Sequence, residues 1–553
     1  MLNVFSGNCR WPTASATSGL VGADEQTSGL LRMIGGARYG IGMQIPTFAG
    51  NDGGVSDSVA GLLQSGRFGE VWPHAVMSPR SEEGTFGSSL DSLELIPSSA
   101  IAADGTLAAF ALGLRRSVEK SPSVGLISSA LVAVDELRRR STSDDPDEMF
   151  FRSFAEMSLL RSAGYLENAA SAAVAVLGRI AAMDPQLQVQ LAPAIERALL
   201  QAASVQVASA NLIQAEHTLT LLGWQRDPMR RQRSIELGAF IRAMRGEIDT
   251  ATQLIAPLER DWRGEKSPST LGRVARVAIH LEHGDVRSAR AEMRAFEVDL
   301  PAADEWPWAL TVAARVHIAT DAATGVEELN RLLGAFGGQP STKRLRRVML
   351  SAVADLSLAA GDVQRATQLT VERDPGDHAL RLTAARIGLI TNSRDAIPDL
   401  RDLVATDDLW PRLRAQGFLL LAVHLHRSNQ LESAQGALRR AVAITQGLGI
   451  RLIHALVPRS ELEAIVQGTD IRLPTNVNRA NPLEDTLVAV SLTPRERTLL
   501  GRLAGGDSLR EIADAEFVVL ATVKSQVRSM YRKIGAKSRH DAVEIAYRRG
   551  ILP

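Results

Sequence analysis

The chain has 553 residues, with 62 Lys and Arg balancing 62 Asp and Glu, and a single Cys, Cys9. One Cys excludes an internal disulfide framework and any Cys-based zinc site. No apolar run is long enough to span a bilayer, and the first residues lack the charged and apolar regions of a signal peptide, so a cytoplasmic protein without a membrane partner is expected.

Residues 1–105 are rich in Gly and Ser at their start and show no sustained periodicity. We expect an irregular or poorly ordered segment with a helical hairpin near 55–77. The Gly clusters GGARYGIGMQ and GNDGGVSDS invite comparison with phosphate loops. However, no GxxxxGK[ST] occurs, and the first lysine is Lys120. Without that Lys and a following Ser or Thr, a phosphate cradle has no electrostatic anchor.

Residues 106–468 read as almost wholly helical, rich in Ala and Leu. A small or turn residue, an apolar residue two later and an Ala five later recur. The copies are Gly164-Leu166-Ala169, Ala210-Leu212-Ala215, Gly246-Ile248-Ala251, Gly284-Val286-Ala289, Gly361-Val363-Ala366 and Asn429-Leu431-Ala434, with a faint earlier one at Gly66-Phe68-Val71. Two longer intervals, from Ala289 to Ala366 and from Ala366 to Ala434, fit doubled periods with a degenerate copy between. Such a unit predicts a helical hairpin: the turn residue ends one helix, the apolar residue starts the next, and the Ala lets the two approach. The pattern resembles tetratricopeptide-type repeats; a general helical bundle is the alternative. A repeat superhelix presents a concave face to an unknown protein or small-molecule effector.

Residues 469–490 contain two Pro, several Asn and no periodicity, and read as a linker. Residues 491–553 hold 12 Lys and Arg against 7 Asp and Glu, which concentrates positive charge at this end. Thr493-Pro494-Arg495-Glu496 and Ser508-Leu509-Arg510-Glu511 are capping boxes, and Ser538-Arg539-His540-Asp541 is a weaker third. Gly535 and Gly550 are placed to end helices. Four short helices follow, near 494–504, 509–515, 520–534 and 539–549. In the third, Val523, Val527, Met530 and Ile534 form an apolar stripe, while Lys524, Ser525, Arg528 and Arg532 lie on another face. A short helix, a tight turn at 516–519 and a basic-faced helix make a helix-turn-helix layout.

Leu492-Thr493, Arg495-Glu496, Leu500, Ala504-Gly505, Glu511-Ile512-Ala513, Thr522-Val523-Lys524, Lys533-Ile534-Gly535, Arg539 and Ala542-Val543 together resemble the LuxR-type (GerE-type) helix-turn-helix domain. The resemblance covers 491–553. It implies an output domain that binds double-stranded DNA as a homodimer, with the third helix in the major groove and the fourth pairing the protomers. Lys524, Ser525 and Arg528 match positions that reach bases; Thr522, Lys533 and Arg539 match phosphate or packing contacts. Three residues depart from the pattern. Val519 stands where a capping Ser is usual, at a cost of about 1 kcal/mol. Glu516 replaces a buried Leu, so it must turn outward or find a partner, and Gln526 replaces a common His. With the repeats, the layout resembles MalT-like regulators, which usually add an N-terminal ATPase module that is not recognisable here.

Catalytic motifs are absent: no GxSxG, HExxH or EF-hand loop occurs. His280 with His283, and His424 with His426, read as polar helix surface rather than metal ligands. Trp224, Trp262, Trp306, Trp308 and Trp410 read as packing residues, and Glu167, Glu247 and Asp285 as acids facing helix N-termini. The expectation is therefore an all-α chain, a tetratricopeptide-like superhelix followed by a four-helix LuxR-type domain. It would act as a transcription regulator without catalytic residues, cofactor or metal. Its rivals are an interaction scaffold with a vestigial DNA-binding domain and an enzyme with its site in residues 1–105.

Overall fold

A computed structural model describes residues 62, 63, 65, 67, 70–77, 101, 104–118, 124–139, 145–223, 228–261, 268–296, 304–336, 338–371, 374–391, 400–474, 492–534, 536–548 and 552. Among these the regular elements are all helical. Most of the N-terminal 105 residues, Trp224, Trp262, most of the 469–490 linker, and Gly535 and Gly550 lie outside the described residues.

The repeat pattern maps onto hairpins position by position. Gly164, Ala210, Gly246, Gly284, Gly361 and Asn429 all have positive φ, from 57° to 101°. The apolar residue two later is the first residue of the second helix in every copy: Leu166–Ala182, Leu212–Thr220, Ile248–Asp261, Val286–Phe296, Val363–Leu369 and Leu431–Leu448. The Ala five later is completely buried in all six. Closing each first helix with a left-handed residue reverses the chain in the fewest residues. A methyl-sized side chain then brings the returning helix close. Between Ala289 and Ala366 the degenerate copy is Trp306–Ile318 followed by Ala322–Phe336. There Gly325 takes the small position, and a Cβ on it would meet the His317 Cβ at 2.3 Å. The copy escaped the pattern because Gly325 replaces the Ala and Thr320 holds the turn position. The faint early copy departs from the expectation: Val71 is buried and begins the helix Val71–Met77 instead of lying inside it.

Each hairpin's first helix packs on the first helix of the next, from Pro146–Ser162 through Pro411–Arg427, while second helices pack chiefly within their own hairpin, except Leu400–Ala405, which packs mainly on Pro411–Arg427. This is solenoid stacking. Three overlapping apolar cores run through it, with Leu219 packed against the first two. Trp306 and Trp308 are buried in the second, and half-buried Trp410 stacks at 6.2 Å from Trp308.

The solenoid also folds back on itself. Arg161 pairs with Asp304 at 2.8 Å, the Thr342 hydroxyl donates to the Ala208 carbonyl at 3.2 Å, and Glu167 accepts from the Lys343 amide at 3.1 Å. Further on, Glu282 binds Arg412 at 2.5 Å and accepts from the amides of Arg451 and Leu452 at 2.6 and 2.7 Å. Burial alone would raise the Glu282 pKa; Arg412 and the two amides hold it below the usual carboxylate range. An ionised pair in this setting is stable because its remaining lone pairs are used.

Two stability predictions follow from these contacts. A Cβ at Gly246, where φ is +101°, would lie 2.8 Å from both Arg412 Cβ and Ile450 Cδ1, whereas Gly284, at φ +79°, has open space. In urea unfolding, Gly284→Ala should cost about 1–2 kcal/mol from left-handed strain alone, and Gly246→Ala roughly 3 kcal/mol or more because overpacking adds to it.

The second concerns His454, which is buried beside the Thr445 hydroxyl at 3.2 Å. Burial pushes its imidazole down to about 4, with Glu282 opposing the shift. Between roughly pH 6.5 and 4 the unfolded chain therefore binds the extra proton, so stability falls as pH drops through that window. The loss should approach about 3 kcal/mol at the acid end. A His454→Gln variant, compared by urea unfolding across the window, should show a shallower decline.

Candidate nucleic-acid interface

Four helices form the C-terminal unit: Pro494–Ala504, Leu509–Ala515, Leu520–Ile534 and Arg539–Arg548. The first two begin with complete capping boxes. Thr493 accepts from the Glu496 amide at 3.2 Å while Glu496 accepts from the Thr493 amide at 2.9 Å. Ser508 and Glu511 exchange the same two bonds at 3.3 and 2.7 Å. Both carboxyls are held below their ordinary range, Glu496 chiefly by the Lys533 ammonium and Glu511 chiefly by the Ser508 amide. The third is partial: the Ser538 hydroxyl accepts from the Asp541 amide at 3.1 Å, while Asp541 accepts from the Lys537 amide.

Val523, Val527, Met530 and Ile534 are all buried, against Leu499, Leu500, Leu503, Ile512, Ala542 and Ala546. With that stripe inward, helical geometry turns the remaining residues outward. Lys524, Ser525, Gln526, Arg528 and Arg532 are exposed, and Thr522 is half-buried in the first turn. Lys524, Arg528 and Arg532, four residues apart, make no ion pair with other described residues. The result is a row of free cations on one rigid helix.

Two of the sequence-derived candidates sit differently. Lys533 donates to both carboxylate oxygens of Glu496 at 2.7 and 2.8 Å, tying the end of the third helix to the start of the first. Arg539 donates through Nε and Nη2 to the Leu503 carbonyl at 3.1 and 2.6 Å, satisfying an acceptor at the end of the first helix. Both residues are exposed, but their bonds are internal to the domain: Lys533 ties the third helix to the first, and Arg539 ties the fourth to the first.

The turn before that helix holds a feature that sequence reasoning missed. Glu516 is exposed, one of the two outcomes open to it. Phe517 follows at φ +55° and is 95% exposed, and the Val518 amide returns to the Ala513 carbonyl at 3.0 Å. This is the helix-ending arrangement that favours Gly or Asn at the left-handed position. Val519 is also largely exposed. The apolar edge Phe517–Val519 therefore lies at the start of the basic helix; its only sequence signal was an apolar triplet in a turn.

His280 is partly exposed with Asp285 at 3.9 Å, and His426 bonds Glu461 at 3.2 Å. Among the described residues no group of three or more His, Cys, Asp or Glu is placed to hold a metal. No helix among them is long and apolar enough to cross a membrane.

Removing the Arg539 side chain should loosen the domain: Arg539→Ala should cost about 1–2 kcal/mol. The change should appear as faster hydrogen exchange across residues 494–548 in the full-length chain, with the solenoid amides unaffected. Lys533→Met, at a partly exposed pair, should cost no more than about 0.5 kcal/mol.

Residues 490–546 match the family described as bacterial regulatory proteins, luxR family. Two curated relatives, both the probable transcriptional regulatory protein NarL of Mycobacterium tuberculosis, from strains CDC 1551/Oshkosh and ATCC 25618/H37Rv, are each 42% identical over 65 residues. That similarity covers 12% of this chain and 30% of each relative. No solved structure gives a significant match to the chain. The capped four-helix unit, its buried stripe and the family match agree on one identification: residues 490–546 are a luxR-family helix-turn-helix regulatory domain, carried at the end of a helical-repeat body.

Proposed function

We propose that this protein is a cytoplasmic, sequence-specific DNA-binding transcription regulator whose helical-repeat body senses a signal or partner and sets the activity of the C-terminal helix-turn-helix. The observation that carries the proposal is the row Lys524, Arg528 and Arg532, exposed and unpaired on a helix whose opposite stripe is buried. A free ammonium near the start of such a helix, Lys524, and a free guanidinium at its middle, Arg528, are suited to the acceptors of a guanine edge. Cations further along suit phosphate, which positions without specifying. Ser525 and half-buried Thr522 add short hydroxyls at the same end. Lys533 supports the reading indirectly, by tying the end of that helix to the first, and Arg539 by joining the first helix to the fourth. Homodimeric binding through Arg539–Arg548 is part of the proposal, since paired recognition helices read two half-sites. The curated relatives named as probable transcriptional regulatory proteins support the regulatory role through the domain they share.

The test is genomic. Full-length protein retained on sheared DNA from its source should enrich a two-fold-related motif that persists at higher salt; retention lost with salt and without a motif would reduce the interaction to phosphate attraction. Within that motif, Arg528→Ala should weaken binding by roughly 1–3 kcal/mol and relax preference at one position. Arg532→Ala should weaken all sequences alike and lower the salt slope by about one. Titrations of labelled operator at several salt concentrations separate the two.

A further inference from the structure

Where the solenoid folds back, a cleft remains between the helices 306–318, 343–359 and 411–427 and the short helix Leu452–Leu456. Its enclosed part is small and the rest opens to solvent, so an occupant would be a small molecule. Its walls are mostly apolar, including Ile318, Val348, Trp410 and Leu452. Three charged side chains line it: Arg315, Asp355 and Arg412.

Two of the three are already matched. Asp355 binds Arg386 and accepts from the Thr383 hydroxyl at 3.0 Å, and Arg412 binds Glu282. Arg412 keeps a buried Nε without a hydrogen-bond partner. Arg315 has neither hydrogen bond nor ion pair from its guanidinium to any described residue. The local group thus holds three guanidiniums, Arg315, Arg386 and Arg412, against two carboxylates, Glu282 and Asp355. One positive charge is left inside an apolar-walled cleft. Burial and the nearby Arg412 press the Arg315 guanidinium down to about 9, with Glu282 and Asp355 opposing, so it stays charged at neutral pH. Leaving a cation half-buried and unmatched is unfavourable unless something else occupies the cleft.

We propose that this cleft is the effector site of the helical body and that it takes a small monoanion, a carboxylate with an apolar alkyl or aryl portion, anchored on Arg315. The carboxylate takes the bidentate face of the guanidinium and cancels the surplus charge. The apolar portion lies against Trp410, Ile318 and Leu452. Because the walls belong to elements far apart in sequence, a ligand here stiffens the closure of the solenoid. The assignment rests on the reading of the body as a sensor, and the experiment separates the two.

Full-length protein is titrated with benzoate and with hexanoate, using calorimetry and thermal unfolding, against benzamide and hexanamide as uncharged counterparts. Inorganic phosphate at matched ionic strength is the salt control. Both carboxylates should bind and raise the melting temperature, at least tenfold more tightly than the amides. Arg315→Met should abolish that difference while melting, without ligand, at or above the wild-type temperature, because an unmatched charge has been removed. Arg315→Lys should retain part of the binding. Absence of carboxylate binding up to about 10 mM, equal protection by phosphate, undiminished binding to Arg315→Met, or a lower melting temperature of unliganded Arg315→Met would each overturn the site. Operator affinity is then measured with and without benzoate. Carboxylate binding that depends on Arg315 but leaves operator affinity unchanged upholds the site and removes the sensing role.

Discussion

The pairing of Glu282 with Arg412 ties together parts of the chain that sequence separates by 130 residues. The carboxylate is buried, yet each of its oxygens is used, by a guanidinium on one side and by the Arg451 and Leu452 amides on the other. A buried charge without those partners would be among the most destabilising groups in the molecule, so the geometry of the closure is narrowly defined. Gly246 enters the same junction by bringing backbone against Arg412 and Ile450, where a side chain has no room. The solenoid is therefore fixed in its curvature by a polar contact and a missing Cβ, and the cleft beside Arg315 is the space left over.

Beneath that closure lies a simpler constraint repeated along the body. Six hairpins reverse through a left-handed residue and set an Ala against the preceding helix, while the hairpin Trp306–Phe336 turns without one. Gly supplies the left-handed conformation without strain, while Ala210 and Asn429 adopt it at some cost. Successive first helices then stack, and the buried surface accumulates hairpin by hairpin. The C-terminal domain obeys different rules, with side-chain caps at its helix starts and one compact core of its own. Its basic row is exposed because the apolar stripe of the same helix is spoken for.

Lys533 and Arg539 show how a basic residue in a DNA-binding domain acquires a second role. Each is engaged with the first helix of the domain, through Glu496 and the Leu503 carbonyl. Their positive charge still contributes to the field at the surface. Their geometry, however, is set by the domain, and the unpaired cations Lys524, Arg528 and Arg532 are the ones free to adapt to a ligand.

Much of this was legible in the chain alone because it is decided locally. Capping boxes at Thr493 and Ser508, the stripe from Val523 to Ile534, and the six turn–apolar–Ala copies all depend on residues within a few positions of one another, and helix periodicity fixes which face each takes. The limits of the four C-terminal helices and the first residue of each second helix in the hairpins follow from that. The degenerate hairpin around Gly325 and the exposed Phe517 were less visible, since one substitutes the small residue and the other the turn residue. What tertiary structure alone decided is which distant segments meet: Gly164 with Pro340, Glu282 with Arg412, Arg539 with the Leu503 carbonyl, and the cleft that leaves Arg315 unmatched. Such contacts depend on the summed rotation of many stacked hairpins, to which each residue contributes a little and no local motif contributes all. A charge is readable in a sequence; the absence of its partner is not.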